Sequence, residues 1–176
     1  MTRPATVADV EAIARLHVEA WREAYRGVVP ETYLDGLDWR ERAEARRAQL
    51  ADPTRAVRIW VAEEDDTVVG FVAWGPDRAS GDTADDRLEV YALYVDPAVW
   101  GRGHGGALLR QVVSALPPAA ALVLWVLEAN ERARSFYERH RFRADGALTT
   151  IEVGGVELPE LRYRYGGPQG ARPPDR

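Results

Sequence analysis

The sequence predicts a single α/β domain in which helices flank a mixed, mostly antiparallel β-sheet. Its 176 residues are the size of one domain and suffice to bury an apolar core without a disulfide or a structural metal. The β-rich runs occur as pairs joined by short turns, which is typical of antiparallel hairpins. Between the two hairpins lies one strand–helix–strand sequence, which predicts a single parallel crossover. We assign the domain to residues 1–165.

Three helices are predicted in the first third of the chain. Apolar residues recur at helical spacing from about Ala8 to Arg26, and Gly27 ends that helix. A short turn of helix follows at 31–36. The third helix, 39–50, is rich in arginine on one side and stops before Pro53.

The rest of the chain alternates strands with two helices. The predicted strands are 57–63, 67–74, 88–95, 121–127, 142–152 and 156–165, and the predicted helices are 103–115 and 133–140. Glu64-Asp65-Asp66 and Gly154-Gly155 are the expected turns of the two hairpins. The tail at 166–176 is predicted to be disordered, because it consists mostly of glycine, proline and charged residues.

Composition argues against several classes of function. The chain has no cysteine, which removes disulfide frameworks, cysteine nucleophiles and cysteine-based zinc sites. A net charge of −5 gives no support to nucleic-acid binding. No run approaches the ~18 apolar residues of a membrane span, and the N-terminus shows no signal-peptide pattern. We therefore expect a cytoplasmic protein with no metal, nucleic-acid or membrane partner.

A glycine cluster between a predicted strand and a predicted helix is the strongest functional signal. Four glycines between 101 and 106 let backbone N–H groups approach an anion, and the N-terminus of the following helix adds its positive dipole end. The cluster is expected to hold a phosphate or pyrophosphate, with charge added by Arg102 and Arg110. A glycine-rich turn without a ligand is the alternative.

The same glycines match a dinucleotide fingerprint, so a NAD(P)-binding oxidoreductase is a second interpretation. Gly101-x-Gly103-x-x-Gly106 has the required spacing, and Glu128 follows about 20 residues later. Three observations count against it. Residues 96–100 separate the glycines from the strand, the earlier strands look antiparallel, and the chain after Glu128 is too short for a second βαβαβ half.

Two motifs together resemble the GNAT superfamily of N-acetyltransferases. Leu93–Pro97, followed by Trp100–Leu109, is similar to the family's acetyl-CoA loop, whose pattern is Gln/Arg-x-x-Gly-x-Gly/Ala. About 25 residues later, Asn130–Phe142 resembles the family's second motif, Asn-x-x-Ala-x-x-Phe-Tyr. The resemblance extends over about residues 3–165. It implies a GNAT-like fold and acetyl-CoA as the co-substrate.

The resemblance also implies which residues bind the coenzyme. The backbone of Leu93 and Val95 would pair with the pantetheine amides, and the loop amides would hold the pyrophosphate. Asn130 would bond the pantetheine arm, which is compatible with capping the next helix. The full set of expected coenzyme-binding residues is Leu93, Tyr94, Val95, Gly101, Arg102, Gly103, His104, Gly105, Gly106, Asn130 and Ser135.

For catalysis, the resemblance implies that Tyr137 is the general acid that protonates the leaving thiolate. The acceptor amine must be neutral to attack a thioester, so another group has to take its proton. Glu89, expected on the strand face of Tyr91 and Leu93, is the candidate base, with a solvated strand-end acid as the alternative interpretation. His17 is a weaker candidate, because it falls on the apolar side of the first helix.

Three features depart from the family pattern. Trp100 occupies the place of Gln or Arg, a position that acts mostly through its backbone, so coenzyme binding should change little. Arg141 replaces the glycine before Phe142, which affects the turn after the helix. Only Met1–Ala5 precede the first helix, so the family's first strand is expected to be very short or missing.

The acceptor is expected to be a small-molecule or peptide amine that attacks directly within a ternary complex. The segments that build the acceptor site in this family carry aromatic and acidic residues, which suit a cationic amine. These are Trp21, Tyr25, Tyr33, Trp39, Trp74, Asp82, Asp85 and Asp86. A non-catalytic acyl-CoA-binding regulatory module is the remaining alternative. A homodimer would be consistent with the fold, although no residue pattern indicates one.

Overall fold

The computed structural model describes residues 1–51, 56–78, 87–118 and 120–166, which form a seven-stranded sheet flanked by helices. The strands are β1 (Thr2–Pro4), β2 (Arg58–Glu64), β3 (Thr67–Pro76), β4 (Arg87–Val95), β5 (Ala121–Leu127), β6 (Phe142–Val153) and β7 (Val156–Tyr165). The helices are α1 (Val10–Ala24), α2 (Glu31–Asp35), α3 (Trp39–Ala51), α4 (His104–Ser114) and α5 (Glu131–Arg139). The strand order is β1-β2-β3-β4-β5-β7-β6, and β4–β5 is the one parallel pair among these strands.

The predicted fold class is confirmed. Each predicted helix and strand is present, and β5 and β7 have the predicted bounds. The first strand exists but is three residues long. α1 begins at Val10 instead of Ala8, because residues 7–9 form a 3₁₀ turn in front of it. With one parallel pair, the described strands do not make the doubly wound sheet of a dinucleotide fold.

Parts of two predictions fall outside the described residues. The acidic residues Asp82, Asp85 and Asp86 lie there, as does the tail from 167 onward, so the division at residue 165 stays a prediction. Over the ranges that are described, no helix is both long and apolar enough to cross a membrane. The same ranges contain no group of three or more His, Asp or Glu side chains placed to hold a metal ion.

Apolar clusters cover both faces of the sheet. On one face, Ile13 of α1 packs with Phe71 of β3. On the other, Leu108 of α4 packs with Leu124 of β5 and with the aromatic residues of α5. Ile13, Phe71 and Leu108 are completely buried, and each such side chain stabilises the fold by about 2 kcal/mol. A third cluster joins α2 to the ends of β5, β6 and β7.

The central strands β4 and β5 separate before they end. Their parallel pairing covers Arg87–Val90 of β4 and then stops. β4 continues to Val95 while paired with β3, and β5 continues to Leu127 while paired with β7. Because each strand stays attached to its outer neighbour, a gap opens between the C-terminal halves of the two strands.

The turn after α5 forms despite the missing glycine. Arg141 adopts φ +69°, the left-handed conformation that a glycine would supply. A non-glycine residue in this region costs about 1 kcal/mol. The replacement therefore affects stability more than geometry, because Phe142 still enters β6 and is completely buried.

The short β1 is held by Arg3. Its guanidinium donates to both carboxylate oxygens of Asp9 at 2.8 Å and to Glu63 Oε1 at 2.5 Å. The backbone N–H of Thr6 also donates to Asp9 Oδ2 at 2.7 Å, so this carboxylate closes the turn that precedes α1. The hydrogen bonds from Arg3 lower the pKa of the Asp9 carboxyl to about 2.

Asp9→Asn is expected to destabilise the fold near neutral pH and to remove part of its acid sensitivity. Asp9 stabilises the fold while it is ionised, and this contribution is lost as the pH falls from the unfolded pKa of 3.8 through the folded pKa of about 2. We expect a loss of about 1–2 kcal/mol at neutral pH, measured by urea unfolding. The deficit should shrink as the pH falls below 3.8. The exposed Glu19→Gln in α1 is the control, and an equal deficit at every pH would contradict the assignment.

Candidate active site

Backbone groups of β4 face the gap between the central strands. Asp96 N donates to Val69 O at 2.8 Å, which continues the ladder between β4 and β3. Hydrogen-bonded and non-bonded pairs alternate along an antiparallel ladder, so the backbone groups of Leu93 and Val95 point away from β3 and toward the gap. The two residues predicted to bind pantetheine through their backbone thus expose it on the side of β5.

Trp100 contacts one of these backbone groups with its side chain. Its Nε1 donates to Val95 O at 2.7 Å, and the Arg132 guanidinium lies over its ring at 3.3 Å from the centroid. The prediction that this position acts mostly through its backbone misses this contact. The side chain of Trp100 therefore contributes a hydrogen bond of its own to this edge of β4.

A bulge in β4 corrects the predicted orientation of Glu89. Ala73 lies opposite Ala92, whereas Trp74 lies opposite Val90, which leaves Tyr91 as an extra residue in β4. The extra residue shifts the alternation of side chains by one place. Glu89 therefore shares its face with Tyr94 on the α1 side, and the prediction that it shares a face with Leu93 is wrong.

Glu89 is neither solvated nor free. It is 1% exposed, so the interpretation as a solvated strand-end acid is wrong. Its Oε2 accepts from Arg78 N at 3.0 Å and its Oε1 accepts from Arg78 Nη2 at 2.5 Å. The ion pair with Glu89 raises the pKa of the Arg78 guanidinium, which stays charged. The lone pairs of the predicted base are thus occupied by Arg78.

The glycine loop has the geometry of an anion site. Gly101 and Gly103 adopt φ values of +82° and +90°, which side-chain-bearing residues rarely do. Gly103 is the N-cap of α4, and its carbonyl accepts the first helical hydrogen bond from Ala107 N at 2.9 Å. The N–H groups of residues 104–106 therefore have no partner within the helix and stand at its positive end.

Gly105 and Gly106 are glycines for a second reason, which is packing. A Cβ on Gly105 would lie 3.2 Å from the Phe136 ring, and one on Gly106 would lie 2.7 Å from His140 Nε2. Phe136 belongs to α5, and His140 is the residue that follows it. The absence of side chains at these positions therefore lets α4 approach α5 closely, while their backbone N–H groups remain in the first turn of α4.

The charged side chains of the loop bind a carboxylate of the protein itself. Arg102 Nη1 donates to Glu64 Oε1 at 2.8 Å, and His104 Nε2 lies 2.9 Å from Glu64 Oε2. These hydrogen bonds lower the pKa of the Glu64 carboxyl. Glu64 was expected only as a turn residue, since no local sequence signal connects it to a loop almost 40 residues away. The loop thus carries less net positive charge than its sequence indicates.

Asn130 and Tyr137 lie at the two ends of one helical segment. Asn130 is the N-cap of α5, where its Oδ1 accepts from Ala133 N at 3.0 Å, so the predicted capping role is confirmed. Tyr137 is buried between Phe136 and Phe142, and burial raises the pKa of its phenol, which stays protonated at neutral pH. Ser135 is exposed on α5. The roles of all three toward a coenzyme stay predictions.

An aromatic cluster links α1 to β4 beside the gap. His17 stacks on Tyr94 with centroids 4.8 Å apart, and Trp21 Nε1 donates to the Tyr94 hydroxyl at 2.8 Å. Burial, together with the charges of Arg42 and Arg46, lowers the pKa of His17 to about 3. His17 is therefore a neutral core histidine, in agreement with its weak standing as a base.

The aromatic residues predicted to line the acceptor site do not all lie together. Trp21, Tyr25 and Tyr33 pack in one cluster under α2 and beside β5. The Arg15 guanidinium instead lies over the Trp39 ring, 3.7 Å from the centroid of that ring. Trp74 is 2% exposed and belongs to the core on the α4 side, so its assignment to the acceptor site is wrong.

Comparison with known proteins agrees with this arrangement. Residues 12–142 match the model of the acetyltransferase (GNAT) family. A probable N-acetyltransferase of Mycobacterium tuberculosis is 30% identical over 167 residues, which cover 92% of this chain and 91% of that protein. An uncharacterized N-acetyltransferase of Bacillus subtilis is 28% identical over 164 residues, covering 90% of this chain and 88% of the relative.

The fold also matches solved structures. The PaiA N-acetyltransferase from Thermoplasma acidophilum, solved in complex with coenzyme A, superposes with a TM-score of 0.76 over 94% of this chain and 97% of that one. Its sequence identity is 18%, so this likeness concerns the fold. Neither the oxidoreductase nor the non-catalytic module is favoured by these findings. From the match over residues 12–142 and the relatives, the chain belongs to the acetyltransferase (GNAT) family and is an acyltransferase.

Proposed function

We propose that this protein transfers the acetyl group of acetyl-CoA to a primary amine by direct attack within a ternary complex. One observation carries the proposal. The separation of β4 from β5 exposes the backbone of Leu93 and Val95, and the loop 96–103 then leads to the N–H groups at the start of α4, which have no partner within the helix. These two sets of groups suit the two ends of one ligand, the amides of pantetheine and its pyrophosphate.

The reaction needs one proton removed and one supplied. The amine must lose a proton before its nitrogen can attack the thioester carbonyl. As the C–N bond forms and the C–S bond breaks, the thiolate must be protonated. Tyr137 suits this second step, because burial keeps its phenol protonated. The chain has no cysteine to form an acyl-enzyme, which favours direct attack.

The proposal is tested by ligand binding and by turnover. Acetyl-CoA should raise the melting temperature, whereas NADH should not, because a ligand that binds the folded state stabilises it. Release of free thiol across a panel of small-molecule and peptide amines should then identify acceptors. Stabilisation by NADH alone would refute the proposal, and so would a complete panel without thiol release.

Tyr137→Phe is expected to lower kcat by about 100-fold or more, within the usual range for loss of a general acid. The Michaelis constant for acetyl-CoA should change little, because the substitution removes only a hydroxyl. Tyr165→Phe in β7 makes the same chemical change near Phe142 and is the matched control, with an unchanged rate. Thiol release under saturating substrates measures both. An unchanged kcat in Tyr137→Phe would remove this residue from the mechanism.

Trp100→Phe is expected to bind acetyl-CoA about fivefold more tightly. The indole and a pantetheine amide would compete for Val95 O, so the hydrogen bond that stabilises the free protein is lost on binding. Removing it costs the free protein about 1 kcal/mol and the complex nothing, which is about a fivefold change in Kd. The phenyl ring keeps a face for Arg132. Isothermal titration measures the constants, and equal values for the two proteins would mean that the indole stays in place.

A further inference from the structure

A carboxylate with no sequence signal lies at the open end of the gap. Glu160 of β7 is paired with Leu127, the last residue of β5. Residues directly opposite in an antiparallel pair share a face, and so do residues two apart in one strand. Leu127 and Leu158 both belong to the cluster under α2. Glu160 therefore faces the α1–α2 side of the sheet, which is also the side of Glu89.

Charged and polar groups from several elements act on the Glu160 carboxylate. Tyr25 at the end of α1, Arg78 after β3 and Glu89 of β4 all interact electrostatically with it. On its own strand face, Arg162 is paired with Asp145 at 2.9 Å. The neighbour across from it in β6 is the neutral Thr149. Glu160, Glu89 and Arg78, which is ion-paired with Glu89, together carry a net negative charge, which suits a cationic amine.

Tyr25 connects this carboxylate to the predicted acid. The Tyr25 side chain interacts with Tyr94 and Asn130 as well as with Glu160, and Tyr137 in turn interacts with Tyr25. Tyr94 belongs to one margin of the gap, and Asn130 follows the strand that forms the other. Tyr25 therefore interacts electrostatically with both Glu160 and Tyr137.

Glu160 differs from Glu89 in what it is bound to. The Glu89 carboxylate accepts hydrogen bonds from Arg78 on both oxygens. The Glu160 side chain, in contrast, has no hydrogen-bond or ion-pair partner among the described residues. Glu160 is half-buried, and Glu89 is completely buried. Burial and the charge of Glu89 raise the pKa of the Glu160 carboxyl. The charge of Arg78 lowers it, and the net shift is upward. A carboxylate whose side chain has no hydrogen-bond partner and whose pKa is raised suits a proton acceptor.

We propose that Glu160 binds the ammonium group of the acceptor and takes its proton, while Arg78 holds Glu89 in a structural ion pair. The inference rests on the proposed N-acetyltransferase function. The ammonium gives one proton to the Glu160 carboxylate, and the neutral nitrogen attacks the acetyl carbonyl. The C–N bond forms, the C–S bond breaks and Tyr137 protonates the sulfur. The second proton, released as the nitrogen becomes an amide, returns to Tyr137, and Glu160 passes its proton to solvent.

The test compares Glu160→Gln with Glu157→Gln, an exposed glutamate in the same strand. Once an amine acceptor is found, kcat/KM is measured against pH for each protein, and the Kd of acetyl-CoA is measured by titration. Glu160→Gln should lower kcat/KM at least 100-fold at neutral pH and leave the Kd within twofold. Glu157→Gln should match the wild type, and Glu160→Asp should recover part of the loss.

The wild-type pH profile tests the assignment even if Glu160→Gln fails to fold. The value of kcat/KM should fall as the pH drops through a value above 4.5, because the base becomes protonated. This acidic limb of the pH profile should lie at the same pH for two amines of different pKa. Absence of such a limb would overturn the assignment. A Glu160→Gln variant with the wild-type kcat/KM would also overturn it. The same holds if the acidic limb disappears in Glu89→Gln and persists in Glu160→Gln. If the wild type releases no thiol with any amine, the proposed function itself fails.

Discussion

The limited pairing of β4 with β5 is the constraint on which the rest of the site depends. Four residues of β4 hold the two strands together, and beyond them each strand is bound more extensively to its outer neighbour. A continuous sheet would satisfy the backbone groups of Leu93 and Val95 internally. Separation leaves them for a ligand, at the cost of two polar edges that must be solvated or covered. Trp100 covers one of these groups in the free protein.

The two halves of the site are built in different ways. The coenzyme half is nearly continuous in sequence, since strand, turn and helix follow one another from Arg87 to Ser114. The proposed acceptor half would combine side chains from the end of α1, the segment after β3, β4 and β7. No sequence motif marks the proposed acceptor half, because segments that lie far apart in the chain each contribute one or two residues. Its chemistry is visible only after the sheet has been assembled.

This difference explains how much could be predicted from the sequence. Hydrophobic periodicity and turn residues predict every helix and every strand except β1, because both act over a few neighbouring residues. The orientation of Glu89 is predicted wrongly, because the bulge at Tyr91 reverses the alternation and has no marker in the sequence. The second role of Gly105 and Gly106 depends on the position of α5. Likewise, the contacts of Glu64 with Arg102 and of Arg78 with Glu89 arise from strand packing and irregular segments, where periodicity says nothing.

The close packing of α4 against α5 couples the position of the glycine loop to the position of the helix that carries Tyr137. Phe136 of α5 and His140, its C-cap, fit against Gly105 and Gly106, and the same helix carries Tyr137 and is capped by Asn130. No side chain on Gly105 or Gly106 separates the glycine loop from Phe136 and His140. A shift of the loop that would hold the pyrophosphate should therefore also move Tyr137. Among related sequences, residues 105, 106, 136 and 140 should therefore vary as a set. A larger residue on α4 would require a smaller one on α5 to keep the two ends of the ligand in register.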